Sequence, residues 1–278
     1  MAKNEMQWSS ATPGLLVILV DQSGSMTLPY DGGDSRTVFA AKAVNRLINT
    51  LIQKNFNGRT PKNRCYVAVI GYDVEAKVLA KGYLDKLNDN PIRIDTVQKK
   101  VSDGAGGLVE ISSKMPVWVE PIKDNLWTNM TAAFLMAKDL VEAWISDKPQ
   151  NPAPVIINIS DGTPYYDQKD VNVYMKETIS VVDQIKQLST EDGSVQIFNA
   201  MIGEGQKVVF PSSESELITE EAKFLYEIST VIPEAYKRAA EKNQLVYQQG
   251  ARGAICQADA ELLIKLIDFG SSKGQGDR

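Results

Sequence analysis

The sequence predicts one α/β domain built on a doubly wound, mostly parallel sheet with helices on both faces. Three observations predict it. Short apolar runs recur along the chain, bounded by turn residues and without polar alternation, as strands covered on both faces require. Segments with apolar residues at the helical period separate them. The two patterns alternate from the first run to the last, which is the order of βαβ units. No linker rich in Pro, Gly or Ser divides the 278 residues and no internal repeat is present. A single domain over 14–268 is therefore expected, with 1–13 and 270–278 as flexible termini.

Leu15 to Val20 is the first strand, with Pro13-Gly14 before it and Asp21 after it. Asp34 or Ser35 can cap the helix that follows, whose apolar face is Val44, Leu47, Ile48, Leu51 and Ile52. Tyr66 to Tyr72 is the second strand. Residues 74–116 have no clear period and read as an elaboration between core elements, with a short helix over 94–101 and a Gly-rich knot, Asp103 to Gly107. Val117-Trp118-Val119 reads as a further strand. A helix is expected over 129–146, ended by Pro149 and Pro152. Val155 to Ile159 is the next buried strand, followed by Asp161, and then a helix over 170–188. Asp192-Gly193 turns the chain into a strand over 195–202, and helical patterns recur at 219–229, 233–243 and 257–268.

Composition removes several function classes. The chain has no histidine. Catalysis by Ser-His-Asp or Cys-His is excluded, as are His-ligated zinc and iron sites. The net charge of −5 and the absence of a basic run argue against a nucleic-acid binder. Cys65 and Cys256 lack metal or redox spacing and read as buried free thiols of a reducing compartment. The first apolar run has six residues, too short for a leader or a membrane span, so a cytoplasmic protein without membrane attachment is expected. There is no phosphate loop, no nucleophile elbow and no dinucleotide fingerprint.

Oxygen chemistry remains. In a doubly wound sheet, ligands bind outside the carboxyl ends of the strands, at the topological switch point. Asp21-Gln22-Ser23-Gly24-Ser25 follows the first strand. One carboxylate and two hydroxyls in a tight turn are hard ligands suited to magnesium or manganese. The same groups also suit a polar loop that caps the next helix. Asp161-Gly162-Thr163-Pro164 follows a later strand, and taken alone is a turn. Thr128 precedes a helix, and taken alone is an N-cap. The combination changes the reading, since three loops at one sheet edge carry only carboxylates and hydroxyls.

These motifs resemble the von Willebrand factor A (VWA) family with its metal-ion-dependent adhesion site (MIDAS). The family pattern is Asp-x-Ser-x-Ser after the first strand, a Thr in a later loop and Asp-Gly after the fourth strand. Asp21, Ser23 and Ser25 match the first part, Thr128 the second and Asp161 the third. The resemblance implies the Rossmann-like VWA fold over roughly 14–268. It also implies a bound Mg2+ or Mn2+ and no enzymatic activity. The partner is then another protein, rather than a small-molecule substrate, with an acidic residue completing the metal shell. Pro116 to Pro121, Gly250 to Ala254 and Gln257-Ala258-Asp259 are similar to segments of stand-alone bacterial intracellular members, which serve signalling, stress or defence assemblies. The threonine loop departs from the family's Gly-rich form: Asn125-Leu126-Trp127-Thr128-Asn129 is bulkier, and Thr131 is a substitute ligand if the register slips. Two alternatives stay open, a metal-dependent phosphohydrolase using Asp21 and a structural subunit with a vacant site. Trp127, Tyr30, Tyr165 and Tyr166 lie in the same loops and suggest a contact rim.

Overall fold

A computed structural model of the chain describes residues 4–270, apart from 31, 32, 57, 103–107, 123–126, 163, 169 and 204. The Gly-rich knot, the tail after Gly270 and the start of the threonine loop lie outside the described residues. The strands are β1 (Gly14–Asp21), β2 (Cys65–Tyr72), β3 (Ala76–Tyr83), β4 (Arg93–Ser102), β5 (Leu108–Val117), β6 (Val155–Ser160), β7 (Gln196–Met201), β8 (Val208–Val209) and β9 (Ala254–Cys256). The helices are α1 (Arg36–Lys54), α2 (Leu84–Asp89), α3 (Met130–Asp147), α4 (Val171–Lys186), α5 (Glu220–Glu227), α6 (Lys237–Lys242) and α7 (Ala260–Gly270).

Seven strands form one sheet in the order β3-β2-β1-β6-β7-β9-β8. β1 pairs in parallel with both β2 and β6, and β6 with β7 and β7 with β9 are parallel too. Only the edges, β3 and β8, run antiparallel. The chain thus leaves β1 toward β2 and β3, then returns to β6 on the other side of β1. The switch point is the gap between the carboxyl ends of β1 and β6.

Every residue of β1 and β6 is buried. Alternation along β1 divides the core. Leu16, Ile18 and Val20 join a cluster with α1 and α7, while Leu15, Val17 and Leu19 join one with α3, α4 and α5. A continuous apolar run serves both faces, as expected of a parallel strand. A polar chain crosses the second face. Tyr72 Oη donates to Asn158 Oδ1 at 2.9 Å, Asn158 Nδ2 to Asn199 Oδ1 at 3.0 Å, and Asn199 Nδ2 to Ser229 Oγ at 2.8 Å. All four residues are buried, so each bond satisfies a group that would otherwise be costly.

Three expectations need correction. Residues 76–83 are not an insertion but the antiparallel edge of the main sheet. Residues 93–102 form a strand, not a helix, paired along its whole length with β5 in a separate two-stranded arm that ends at Val117. The arm's chain end is held to α1 by one side chain: Asn45 Oδ1 accepts from the backbone N–H of Trp118 and Val119, and Asn45 Nδ2 donates to Val119 O. Finally, the segment expected to be a flexible terminus is anchored at Asn4 and Trp8, both buried, while Glu5 and Gln7 are exposed. Trp8 is 2% exposed, and the backbone N–H of Asn4 donates to Asp192 O at 2.8 Å.

Candidate metal centre

Asp21 is the last residue of β1 and is fully buried. Its Oδ1 accepts from the backbone N–H of Ser23 at 2.9 Å, which folds the turn back onto the strand end. Its Oδ2 is buried without a hydrogen-bond partner. Burial, and next the nearby charge of Asp161, push the Asp21 carboxyl well above its ordinary value of 3.8, against hydrogen bonds from Ser23 and from the Asp161 backbone. After Ser23 the chain makes a single 3-10 turn, Gly24–Thr27, which puts Ser23 Oγ and Ser25 Oγ 3.2 Å apart. Ser23 is buried and Ser25 exposed, so the turn runs from core to surface.

Asp161 directly follows β6, across the switch point from Asp21. The adjacent Gly162 N–H donates to Ser160 Oγ at 2.9 Å. Thr128 is buried, and its loop is sewn to the Asp161 loop. Thr128 N–H donates to Tyr165 O at 2.7 Å, and Tyr165 N–H to Thr128 O at 3.2 Å. Asn129 caps α3 by accepting from Ala132 N–H, while its own N–H donates to Asp73 O beyond β2. The loops after β1, β2 and β6 and the one before α3 therefore meet at one edge. Thr131 points elsewhere: within α3, its hydroxyl lies 2.8 Å from that of Thr178 on α4. Among the described residues no group of three or more His, Cys, Asp and Glu gathers. The donors here are two carboxylates with hydroxyls. A buried carboxylate oxygen without a partner, beside hydroxyls and a second carboxylate, fits a hard divalent cation.

Sequence reading missed several supports of this edge. Gly71 on β2 leaves room for Gln22. An added Cβ would lie 2.2 Å from Gln22 Oε1 and 2.8 Å from Leu79 Cδ1. Gly71→Ala should therefore displace Gln22 and strain the turn that carries Ser23. We expect a loss of about 1–3 kcal/mol in urea unfolding; an unchanged midpoint would refute this packing role. The Gln257-Ala258-Asp259 segment, singled out in the sequence, also lies at this edge. Tyr30 donates its hydroxyl to Ala258 O, and Asp259 caps α7 by accepting from Leu262 N–H at 2.8 Å. Tyr30 is thus a strut, packed edge-on against Phe39, rather than part of a rim. The other three aromatics do form a shelf. Trp127 stacks on Tyr165 with centroids 5.3 Å apart, and Tyr166 meets Trp127 edge-on.

No family model matches the chain, and a search of curated proteins gave no match. Among solved structures it is similar to the conserved hypothetical protein BatB from Bacteroides thetaiotaomicron, at 13% identity over 95% of this chain and 100% of that one, with a TM-score of 0.46. The vWF domain of the type V pili tip protein Mfa5 from Porphyromonas gingivalis is 11% identical over 92% of this chain and 94% of its own, with a TM-score of 0.49. Proximal thread matrix protein 1 from the mussel byssus, with a zinc-occupied MIDAS motif, is 13% identical over 94% of this chain but only 48% of its own, with a TM-score of 0.42. In the main sheet of this chain β6 is the fourth strand in chain order, and Asp161-Gly162 follows it. The mostly parallel seven-stranded sheet with its antiparallel β3 edge and flanking helices is a doubly wound α/β fold, the class that the von Willebrand factor A resemblance implies.

Proposed function

We propose that the chain is a divalent-cation-dependent protein-binding module. The observation that carries this reading is the convergence of Asp21, Ser23, Ser25, Thr128 and Asp161 loops at the sheet's switch point, with the buried Asp21 Oδ2 lacking a partner. Asp21, Ser23, Ser25, Thr128 and Asp161 hold Mg2+ or Mn2+. A bound ion supplies a positive charge at the surface, to which a carboxylate of a partner protein is the natural complement. Asp21 would hold the ion at the buried end of the turn, and Ser25 stands at its exposed end. The Trp127–Tyr165 shelf beside Thr128 offers an apolar contact next to the charge, with Tyr165 41% exposed.

A phosphohydrolase would need an accessible nucleophile, and the Asp21 carboxylate is fully buried. This favours binding over catalysis. The two cysteines are free and buried, in keeping with a reducing cytoplasm. Among the described residues no helix is long and apolar enough to cross a membrane. We assign the module to a bacterial signalling, stress or defence assembly. The test is capture of partners from host extract with wild type and Ser23→Ala, each with and without EDTA. Partners that use the site are lost in EDTA and with Ser23→Ala. A full set of partners retained in both cases would sink the reading.

A further inference from the structure

The centre contains a cation supplied by the chain itself. Arg36 is the first residue of α1, and its Nη1 lies 3.3 Å from Asp161 Oδ2. The two side chains are only 15% and 10% exposed. Ser35 fixes the helix start by accepting from Val38 N–H, and Arg36 N–H donates to Leu28 O at the end of the serine turn. Arg36 Nε is buried without a partner, and the guanidinium lies beside Gly203. An arginine at the first position of a helix opposes the helix dipole, which favours anions there. Local preference thus disfavours a cation at this position. The contact with Asp161 is what offsets it.

We propose that Arg36 is a fixed counter-charge that weakens divalent-cation binding at the centre and makes that binding depend on an anionic partner. The inference rests on the metal reading above. Without a divalent ion, Arg36 neutralises Asp161 and relieves its repulsion with Asp21. Two carboxylates and one guanidinium leave a net charge of about −1, where the carboxylates alone would offer about −2. An incoming divalent ion meets a weaker attraction and a fixed like charge. A partner carboxylate restores the missing negative charge, so ion and partner strengthen each other's binding reciprocally. A centre without Arg36 would take the ion tightly whether or not a partner was present.

The experiment measures Mn2+ affinity from the free-ion electron paramagnetic resonance signal, together with the Tm of the metal-free protein. It compares wild type with the neutral variants Arg36→Gln and Arg36→Met and the charge-retaining Arg36→Lys. We expect the neutral variants to bind Mn2+ roughly tenfold more tightly than wild type, although their metal-free Tm is lower. Arg36→Lys should bind close to wild type. These opposite signs separate a counter-charge from a purely structural role, which would lower Tm and affinity together. Two neutral variants are used so that one folding failure does not end the test. If wild type binds and a folded neutral variant binds equally or more weakly, this inference is overturned while the metal reading stands. If wild type is silent and a neutral variant binds, both are supported. If none binds at millimolar Mn2+, both fall.

Discussion

Adding Mn2+ or Mg2+ to the metal-free protein should raise its Tm by roughly 5–10 °C, and Asp21→Asn should abolish the rise. Binding at one site stabilises the folded chain by about 2.7 kcal/mol when the ion is at a hundred times its Kd. Each 1 kcal/mol moves the Tm of a chain of this size by about 2–4 °C. Asp21→Asn should also stabilise the metal-free protein, because it removes a carboxylate that burial, and next the charge of Asp161, disfavour. The pH dependence has a defined sign. The Asp21 carboxyl is raised above 3.8 in the folded chain, so the folded state holds this proton more tightly than the unfolded state. Metal-free stability therefore falls as pH rises from the unfolded value through the raised one. The ion needs the ionised form, so its stabilising effect grows over the same window. With no histidine in the chain, no imidazole titration overlies this trend. Calorimetric scans at several pH values check it. A wild type and an Arg36→Gln that are both indifferent to both ions, or an Asp21→Asn that keeps the full rise, would remove the metal from the account.

What was legible in the sequence follows from where each residue buries its surface. β1, β2, β6 and β7 are central strands, and central strands are written as apolar runs because both faces are covered. Two loops of the candidate centre were legible for a related reason: they begin where such a run stops, at Asp21 and at Asp161. The edge strand β3 was not. Its side chains are mostly half-buried or exposed, and it holds lysines at 77 and 81 that a sheet edge tolerates. The β4–β5 arm escaped because it packs by pairing with itself, which leaves Ile92 and Ile94 exposed and no amphipathic period to read. Arg36 did leave a signal: a cation at a helix start breaks a local preference, and such breaks gather where function or a distant partner imposes them. Its partner Asp161 lies 125 residues away, a distance that no local pattern spans.

The N-terminal strap shows the same limit on a larger scale, and Trp8→Ala should be the most destabilising of the substitutions considered. One tryptophan in a polar stretch has no period, yet its ring lies across Gly14 at the start of β1, where an added Cβ would come within 2.2 Å of it. Hydrogen bonds from Asn4 N–H to the Asp192 carbonyl and from Met6 N–H to the Asp192 carboxylate Oδ1, both 2.8 Å, hold the strap down. Asp192 Oδ2 meanwhile accepts from Ala153 N–H at 3.1 Å, just before β6. The strap thus closes the amino ends of β1 and β6, opposite the candidate metal centre. Truncating a tryptophan that is 2% exposed should cost about 3–5 kcal/mol, a fall of roughly 6–20 °C in Tm. The metal-induced rise should persist on this lower baseline, because sites at opposite ends of a strand with no shared partner contribute nearly additively. Equilibrium unfolding with and without Mn2+ measures both quantities. A loss under about 1 kcal/mol would mean that the strap contributes little to the fold, and a vanished metal response would mean that the two ends of β1 are coupled.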